Sequence, residues 1–402
     1  MNFEHTEKTK ALIQRVKDFM EMNLYPVETE INEFYANPEK LWQVHPKVEE
    51  LKTLAKAEGL WNLFLPKSFG ELSPGLTNLE YATLAEEMGK IKFASEVFNC
   101  NAPDTGNMEV LAKYGSTEQQ EKWLKPLMNG SIRSAFLMTE PDVASSDATN
   151  IETSIIADGD NYVINGKKWW SSGAMHPDCK VAIVMGKTDF DAPKHQQQSM
   201  ILVPFGTPGF KVIRPLSVFG FMDSPYGHAE IHLENVRVPK ENIIFGEGRG
   251  FEVAQGRLGP GRIHHCMRLI GVAQRSLELM CQRTNKRVAF GRPLTKFDSI
   301  RQDIALSKCE IDQARLLTLA AADKMDKAGN KAAKDLIAMI KIIAPRMSQT
   351  VVDRAMQAYG GMGLSDDLPL AEFFSYARIL RLADGPDEVH MSQLGRNVAK
   401  RY

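Results

Sequence analysis

Cysteine is scarce in this chain, with five spread over 402 residues. None of Cys100, Cys179, Cys266, Cys281 and Cys309 forms a C-x-x-C pair. The odd number and wide spacing argue against a disulfide framework or a zinc knuckle and suit a reducing compartment. The sequence implies no metal site. Net charge is also small, −1 at pH 7, so no basic excess points to nucleic acid. Local basic clusters can still hold a phosphorylated small molecule. No run approaches the roughly 18 uninterrupted apolar residues of a membrane span. The charged, amphipathic start MNFEHTEKTKALIQRVKDF has no apolar signal core, and the final AKRY offers no peroxisomal address. These absences lead us to expect a cytoplasmic protein, or an organelle-matrix one in a eukaryote. The dinucleotide glycine spacing is missing too. Gly246-Glu247-Gly248-Arg249-Gly250 is glycine-rich without it, and reads as a loop before a helix more than as a phosphate cradle.

What is present is an ordinary globular composition, 43% hydrophobic and 25% charged, long enough for two or three domains at about 150 residues each. From 1 to 130 the pattern is helical, with apolar residues at spacings of three and four (Ala11, Leu12, Val16, Phe19) and further runs near 46–57, 77–89 and 117–128. Gly130 is a natural stop. From 131 to 245 short β-branched runs take over, among them Tyr162–Ile164, Val181–Val184, Ser199–Val203, Lys211–Ile213 and Ala229–Leu233. Asp158-Gly159-Asp160, Asn165-Gly166 and Pro208-Gly209 divide them. From 246 to 402 helices return, over 250–284, 299–327 and 333–358. Helices, then strands, then helices predict an α+β fold in separate layers, not an alternating βαβ sheet.

Five strings stand out. In Phe136-Leu137-Met138-Thr139-Glu140-Pro141-Asp142-Val143-Ala144-Ser145-Ser146-Asp147, small and hydroxyl residues follow what reads as an exposed Glu-Pro-Asp turn. Such a loop offers amides and hydroxyls to a polar ligand edge, or is simply a well-capped connector. In Gly166-Lys167-Lys168-Trp169-Trp170-Ser171-Ser172-Gly173, adjacent tryptophans on a strand point to opposite faces. One can be core while the other stacks on a ligand ring, or both pack internally. Arg257 to Arg262, read as opening a helix, and Thr284 to Leu294 supply arginines suited to phosphate or to plain solvation. Gln357-Ala358-Tyr359-Gly360-Gly361-Met362-Gly363 and Arg381-Leu382-Ala383-Asp384-Gly385-Pro386-Asp387-Glu388-Val389-His390 read, by themselves, as a helix cap and a turn before a last helix.

In this order the strings are specific: the whole chain resembles the acyl-CoA dehydrogenase family. Met138-Thr139-Glu140-Pro141 to Ser146-Asp147 is similar to its flavin loop, and Lys168 to Gly173 to its tryptophan strand. Arg287 to Leu294 resembles R-x-x-F-G-x-P-L, Gln357 to Gly363 resembles Q-x-x-G-G-x-G, and the distance from Gln357 to Asp384 matches without a gap. M-T-E-P-D-V-A-S-S-D, K-K-W-W-S-S-G and A-D-G-P-D-E-V-H resemble the dehydrogenase part of family members ten and eleven.

The resemblance implies a helical N-terminal domain, a middle β domain, a C-terminal helical bundle and bound FAD. It implies flavin contacts at Phe136, Met138, Thr139, Ser145, Trp170 and Ser172, and coenzyme A contacts at Ser146 and Arg262. Arg287, Gln357 and Gly361 would hold the FAD pyrophosphate and adenosine, the last two from a neighbouring subunit of a homodimer or homotetramer. Pro386 and Glu388 stand where the family usually has threonine and glutamine on FAD, Ser145 where it has glycine, and Ser172 where it has threonine. Asp384 falls at the position of the base, normally a glutamate.

The implied reaction is α,β-desaturation of an acyl-CoA in fatty acid β-oxidation, with electron-transferring flavoprotein as acceptor. Its α proton is weakly acidic and needs a positioned carboxylate while the carbonyl is polarised. Asp384 is shorter than glutamate by about 1.5 Å. A nitroalkane oxidase-like enzyme and a non-catalytic FAD-binding relative are the alternatives. Ser146 and Arg262 speak against the first, and the neutral overall charge against a nucleic-acid-binding version of the second.

Overall fold

The computed structural model describes residues 5–402. No helix among them is long and apolar enough to cross a membrane. The chain divides into two compact units. One takes residues up to Tyr25, Leu76–Ser95 and Arg262–Tyr402; the other takes Pro26–Gly75 and Glu96–Gly261.

The second unit is built on a sheet of β1 (Arg133–Leu137), β2 (Ser154–Asp158), β3 (Asn161–Ser172), β4 (Cys179–Lys187), β5 (Gln198–Pro204), β6 (Phe210–Leu216), β7 (His228–Pro239) and β8 (Ile243–Ile244). Their order is β6-β7-β3-β2-β4-β5-β8, with β1 on β4. Most pairs are antiparallel, and the strands follow one another without the alternating helices of a Rossmann sheet. Period-two patterning explains the core. Ala229, Ile231 and Leu233 of β7 are buried with Tyr162 and Ile164 of β3, Ala182 and Val184 of β4, and Ile201 and Val203 of β5. Helical residues precede the sheet, from Pro46–Ala57 to Lys125–Asn129, and Gly130 ends the last of them at φ 73°.

The start of β1 rests on buried charge. Arg133 pairs with Glu96, which also meets Lys52, and donates to Asn99 Oδ1 at 2.7 Å. Burial alone would raise the Glu96 carboxyl, but Arg133 and Lys52 hold it at about 2. Asp104 accepts from the Ser134 amide (2.8 Å) and hydroxyl (2.5 Å), and burial lifts it to about 6. β1 is thereby fixed just before it runs into the predicted flavin loop.

The first unit is helical: Glu7–Phe19, Asn78–Met88, the part of Gly250–Lys286 from Arg262 on, Asp298–Tyr359, Leu370–Ile379 and Asp387–Ala399. Two backbones touch through glycine. A Cβ on Gly271 would lie 2.0 Å from the Glu86 carbonyl oxygen, and one on Gly89 would lie 2.2 Å from that of Arg268. Arg315 forks onto Glu86 (Nε–Oε2 2.9 Å, Nη2–Oε1 2.8 Å), and Asp326 accepts the Asn78 and Leu79 amides at the helix start. The stretches read separately as 299–327 and 333–358 are two helical segments within Asp298–Tyr359, broken at Gly329 (φ 78°, ψ 172°). Arg257 lies inside the helix Gly250–Lys286, not at its opening; the helix starts where the glycine-rich loop ends.

Candidate active site

The loop after β1 is pinned from beneath. The Lys168 side chain, fully buried on β3, donates to the Met138 carbonyl (3.0 Å) and to Glu140 Oε1 (2.8 Å). Glu140 also accepts from the Glu152 amide (2.8 Å), the Thr153 amide (3.0 Å) and the Thr153 hydroxyl (2.6 Å). Burial drives the Lys168 ammonium down to about 8 in spite of Glu140. Lys168 and the donors around it keep the Glu140 carboxyl below its ordinary range against burial. The Glu-Pro-Asp turn is therefore not exposed throughout. Glu140 is a buried anchor, Pro141 is half-buried and Asp142 is exposed.

Ser145 turns its hydroxyl back into the loop, accepting the Glu140 amide at 2.8 Å. Ser146 and Thr139 are half-buried or exposed. Phe136 on β1 lies under the Arg257 guanidinium, whose carbon is 3.9 Å from the ring centroid. Arg257 Nε also donates to Asn107 at 3.2 Å.

Trp170 departs from simple strand alternation. Its φ is 52°, in a break of the β3–β7 register between Lys168 and Ser171. The Trp169 amide bonds to the Thr139 carbonyl (3.0 Å), tying strand to loop. Trp170 stays 37% exposed as a residue, enough for its indole to offer a ring face. Ser172, directly opposite His228 on β7, has its hydroxyl 2.9 Å from His228 Nδ1. An exposed indole, a nearby hydroxyl and a pinned loop fit a flat aromatic cofactor.

In the helical unit, Asp384 sits between Leu370–Ile379 and Asp387–Ala399 at φ 57°, next to Gly385 at φ 98°. The turn is held by its carbonyls. Buried Lys341 donates to the Leu380 and Ala383 oxygens, both at 2.7 Å. Arg262 Nε donates to the Asp384 oxygen at 3.0 Å, and His390 Nε2 lies 3.3 Å from that same oxygen. His265 Nε2 is 3.7 Å from the Asp384 carboxylate. Burial lowers the Lys341 ammonium; burial, Arg262 and Lys341 push the His390 imidazole down to about 4, so it is neutral near pH 7.

Three carboxylates crowd this turn, and their surroundings differ. Asp387, in the first turn of the last helix, is buried and accepts from Arg346 Nε and Arg381 Nε, both at 2.9 Å. Glu388 is exposed, and Pro386 is the N-cap residue. The Asp384 side chain is 19% exposed.

The remaining predicted residues stand apart from these contacts. Arg287 leads into a hairpin that pairs Val288–Ala289 with Arg292–Pro293, and it is exposed. Gln357 is exposed in the last turn of Asp298–Tyr359; a Cβ on Gly361 would meet nothing within 4 Å. The sequence reading missed His228, His265, Lys341 and His390 as partners. His265 follows Arg262 by three residues on one helix and so shares its face, and His390 ends the Arg381–His390 segment that carries Asp384. Lys341 and His228 carried no local signal.

Three family descriptions match the chain: acyl-CoA dehydrogenase N-terminal domain over residues 6–131, middle domain over 135–236 and C-terminal domain over 248–399. It is 58% identical over 387 residues to acyl-CoA dehydrogenase family member 10 of Mus musculus, covering 95% of this chain and 36% of that one. The chain spans about a third to a half of the length of several such curated relatives. A solved acyl-CoA dehydrogenase-like chain from Mycobacterium abscessus superposes with TM-score 0.96 at 51% identity, covering 99% of this chain and 100% of that one. Butyryl-CoA dehydrogenase of Megasphaera elsdenii gives 0.84 at 28% identity, covering 99% and 100%.

Proposed function

The chain belongs to the acyl-CoA dehydrogenase family and has its three-domain fold, and from that premise we propose that it desaturates an acyl-CoA between the α and β carbons. The butyryl-CoA dehydrogenase among its structural relatives supports the thioester substrate class. FAD, when bound, supplies the acceptor for the β hydrogen and two electrons. Phe136, Met138, Thr139, Trp170 and Ser172 hold its ring in this reading, while Arg287, Gln357 and Gly361 hold its pyrophosphate and adenosine. The exposure of Gln357 and Gly361 suits service to a second copy of the chain in a dimer or tetramer. Ser146 and Arg262 bind the coenzyme A portion, and electron-transferring flavoprotein takes the electrons onward.

Asp384 takes the α proton. The observation that carries this is the difference among the three neighbouring carboxylates. Asp387 is bound by two arginines and Glu388 is exposed, whereas Asp384 is partly shielded on a turn whose backbone Arg262 and Lys341 hold in place. A carboxylate held in position on a shielded turn can meet an α proton, and the Arg262 and Lys341 cations near Asp384 bear on its charge. Asp384→Asn holoprotein should retain FAD but be reduced by a good acyl-CoA about 10²–10⁴-fold more slowly. Near-normal bleaching of that variant in stopped flow would assign the proton to another group. Bleaching of the native protein by nitroethane but by no acyl-CoA would overturn the substrate class.

A further inference from the structure

Ser172 does not stand alone. Its hydroxyl is 2.9 Å from His228 Nδ1, and the far nitrogen, His228 Nε2, is 3.6 Å from Asp223 Oδ2. The three residues belong to different segments of the β-rich unit: the end of β3, the start of β7, and the turn before β7, where Asp223 adopts φ 53°. The Asp223 carbonyl accepts the Gly227 amide at 2.8 Å, which closes that turn onto β7. The His228 ring also sits 5.7 Å from that of Trp170. One largely buried imidazole thus neighbours two of the side chains expected to meet the flavin.

A neutral imidazole carries one N–H, and the partner of each nitrogen decides which. A carboxylate beside Nε2 favours the proton there, leaving Nδ1 as an acceptor. Ser172 then donates its hydroxyl hydrogen to His228, and its oxygen keeps lone pairs for whatever approaches from the other side. A reduced flavin offers an N–H at N5, a donor; an oxidised flavin offers a lone pair there.

We propose that His228, oriented by Asp223, is a positioning residue that turns the Ser172 hydroxyl into an acceptor for the N5–H of reduced FAD, favouring the reduced cofactor. No atom leaves the trio. The hydrogen at N5 and both electrons come from the substrate, while Ser172 and His228 keep their own protons. The proposal rests on the reading that Ser172 faces flavin N5, and the test separates the two.

The measurement is a redox titration of FAD bound to the full chain, followed by its visible absorbance against a reference dye. A hydrogen bond of this kind is worth about 1–1.5 kcal/mol, about tenfold in an equilibrium. His228→Ala and Ser172→Ala should each lower the reduced-to-oxidised ratio at fixed potential by about that factor. The double variant should go no lower than Ser172→Ala alone, since the histidine acts through the serine. Asp223→Asn, at a half-buried position, should give the same direction at about threefold and serves if His228→Ala folds poorly. A ratio sensitive to Ser172→Ala but indifferent to His228→Ala and Asp223→Asn overturns the relay and spares the Ser172 contact. Indifference to Ser172→Ala overturns that contact and the relay with it. A His228→Ala effect that persists in full in the Ser172→Ala background assigns the histidine to Trp170 instead, and also overturns the proposal.

Discussion

Two loops of this molecule are each held by a buried lysine, and the lysines work differently. Lys168 grips the Met138 carbonyl but also pairs with the Glu140 carboxylate, so the loop after β1 hangs on an ion pair. Lys341 grips the Leu380 and Ala383 carbonyls, both of its short contacts being to neutral oxygens. Burial lowers both ammonium groups. The first arrangement fixes a platform and uses up its carboxylate. The second fixes the backbone around Asp384, the residue proposed as the general base.

The largest expected effect breaks the first arrangement. Lys168→Met strands Glu140 as a buried charge, which typically costs about 3–5 kcal/mol. Chemical denaturation should show that loss, and FAD should dissociate as the loop loosens. A loss below about 1 kcal/mol would mean that the ion pair does not hold the loop. Lys341→Met should cost less, about 1–3 kcal/mol, because it leaves carbonyls and not a charge without a donor. Its mark should be kinetic: FAD retained, flavin reduction slowed as Asp384 loses its fixed position. If Lys341→Met lost FAD as readily as Lys168→Met, the division of labour would be wrong.

Arg262→Ala sharpens the same contrast. The family resemblance implies a coenzyme A contact for Arg262, and a purely substrate-binding arginine would raise KM and spare kcat. Its Nε also donates to the Asp384 carbonyl, so kcat should fall with it, by roughly tenfold for one hydrogen bond. A change in KM alone would show that the contact to Asp384 does not matter to the chemistry.

Much of this was legible because it is local. The helix read over 46–57 is Pro46–Ala57, the stop at Gly130 is a left-handed cap, and the acidic pair Asp387–Glu388 falls in the first turn of the last helix. The misreadings share a cause. The sequence Glu-Pro-Asp looks like a surface turn, but Glu140 is buried because Lys168 waits for it on a strand far along the chain. Likewise Lys341 reaches Ala383 between helices, and Ser172 meets His228 across a strand pair. Trp170 leaves strict alternation because of a bulge, and an extra residue in a ladder has no spacing signal. Periodicity reports which face of an element is buried, not which polar group meets it there.

The smallest effect at neutral pH, and the one that best separates the loops, is acid sensitivity. His390 contacts the Asp384 carbonyl while Arg262 and Lys341 stand nearby, and burial with those two cations lowers its imidazole from 6.5 to about 4. Above pH 6.5 it is neutral both folded and unfolded, so it adds no pH dependence. Between pH 6.5 and about 4 the unfolded chain takes up a proton that the folded chain refuses, and stability falls as pH falls, by at most about 1.4 kcal/mol per unit. Below about 4 both forms are protonated and this loss stops. Glu140, whose carboxyl is depressed, acts in a lower window: its contribution is complete above the ordinary glutamate value and disappears as pH drops through the folded one. Acid should therefore loosen the turn at Asp384 before the loop after β1. Denaturant midpoints of native protein and His390→Gln, compared from pH 7 to 4, isolate the first window because every other titrating group cancels. The native protein should lose stability more steeply than the variant there. Parallel curves would mean that His390 takes its proton as easily folded as unfolded, and that the turn tolerates a third cation.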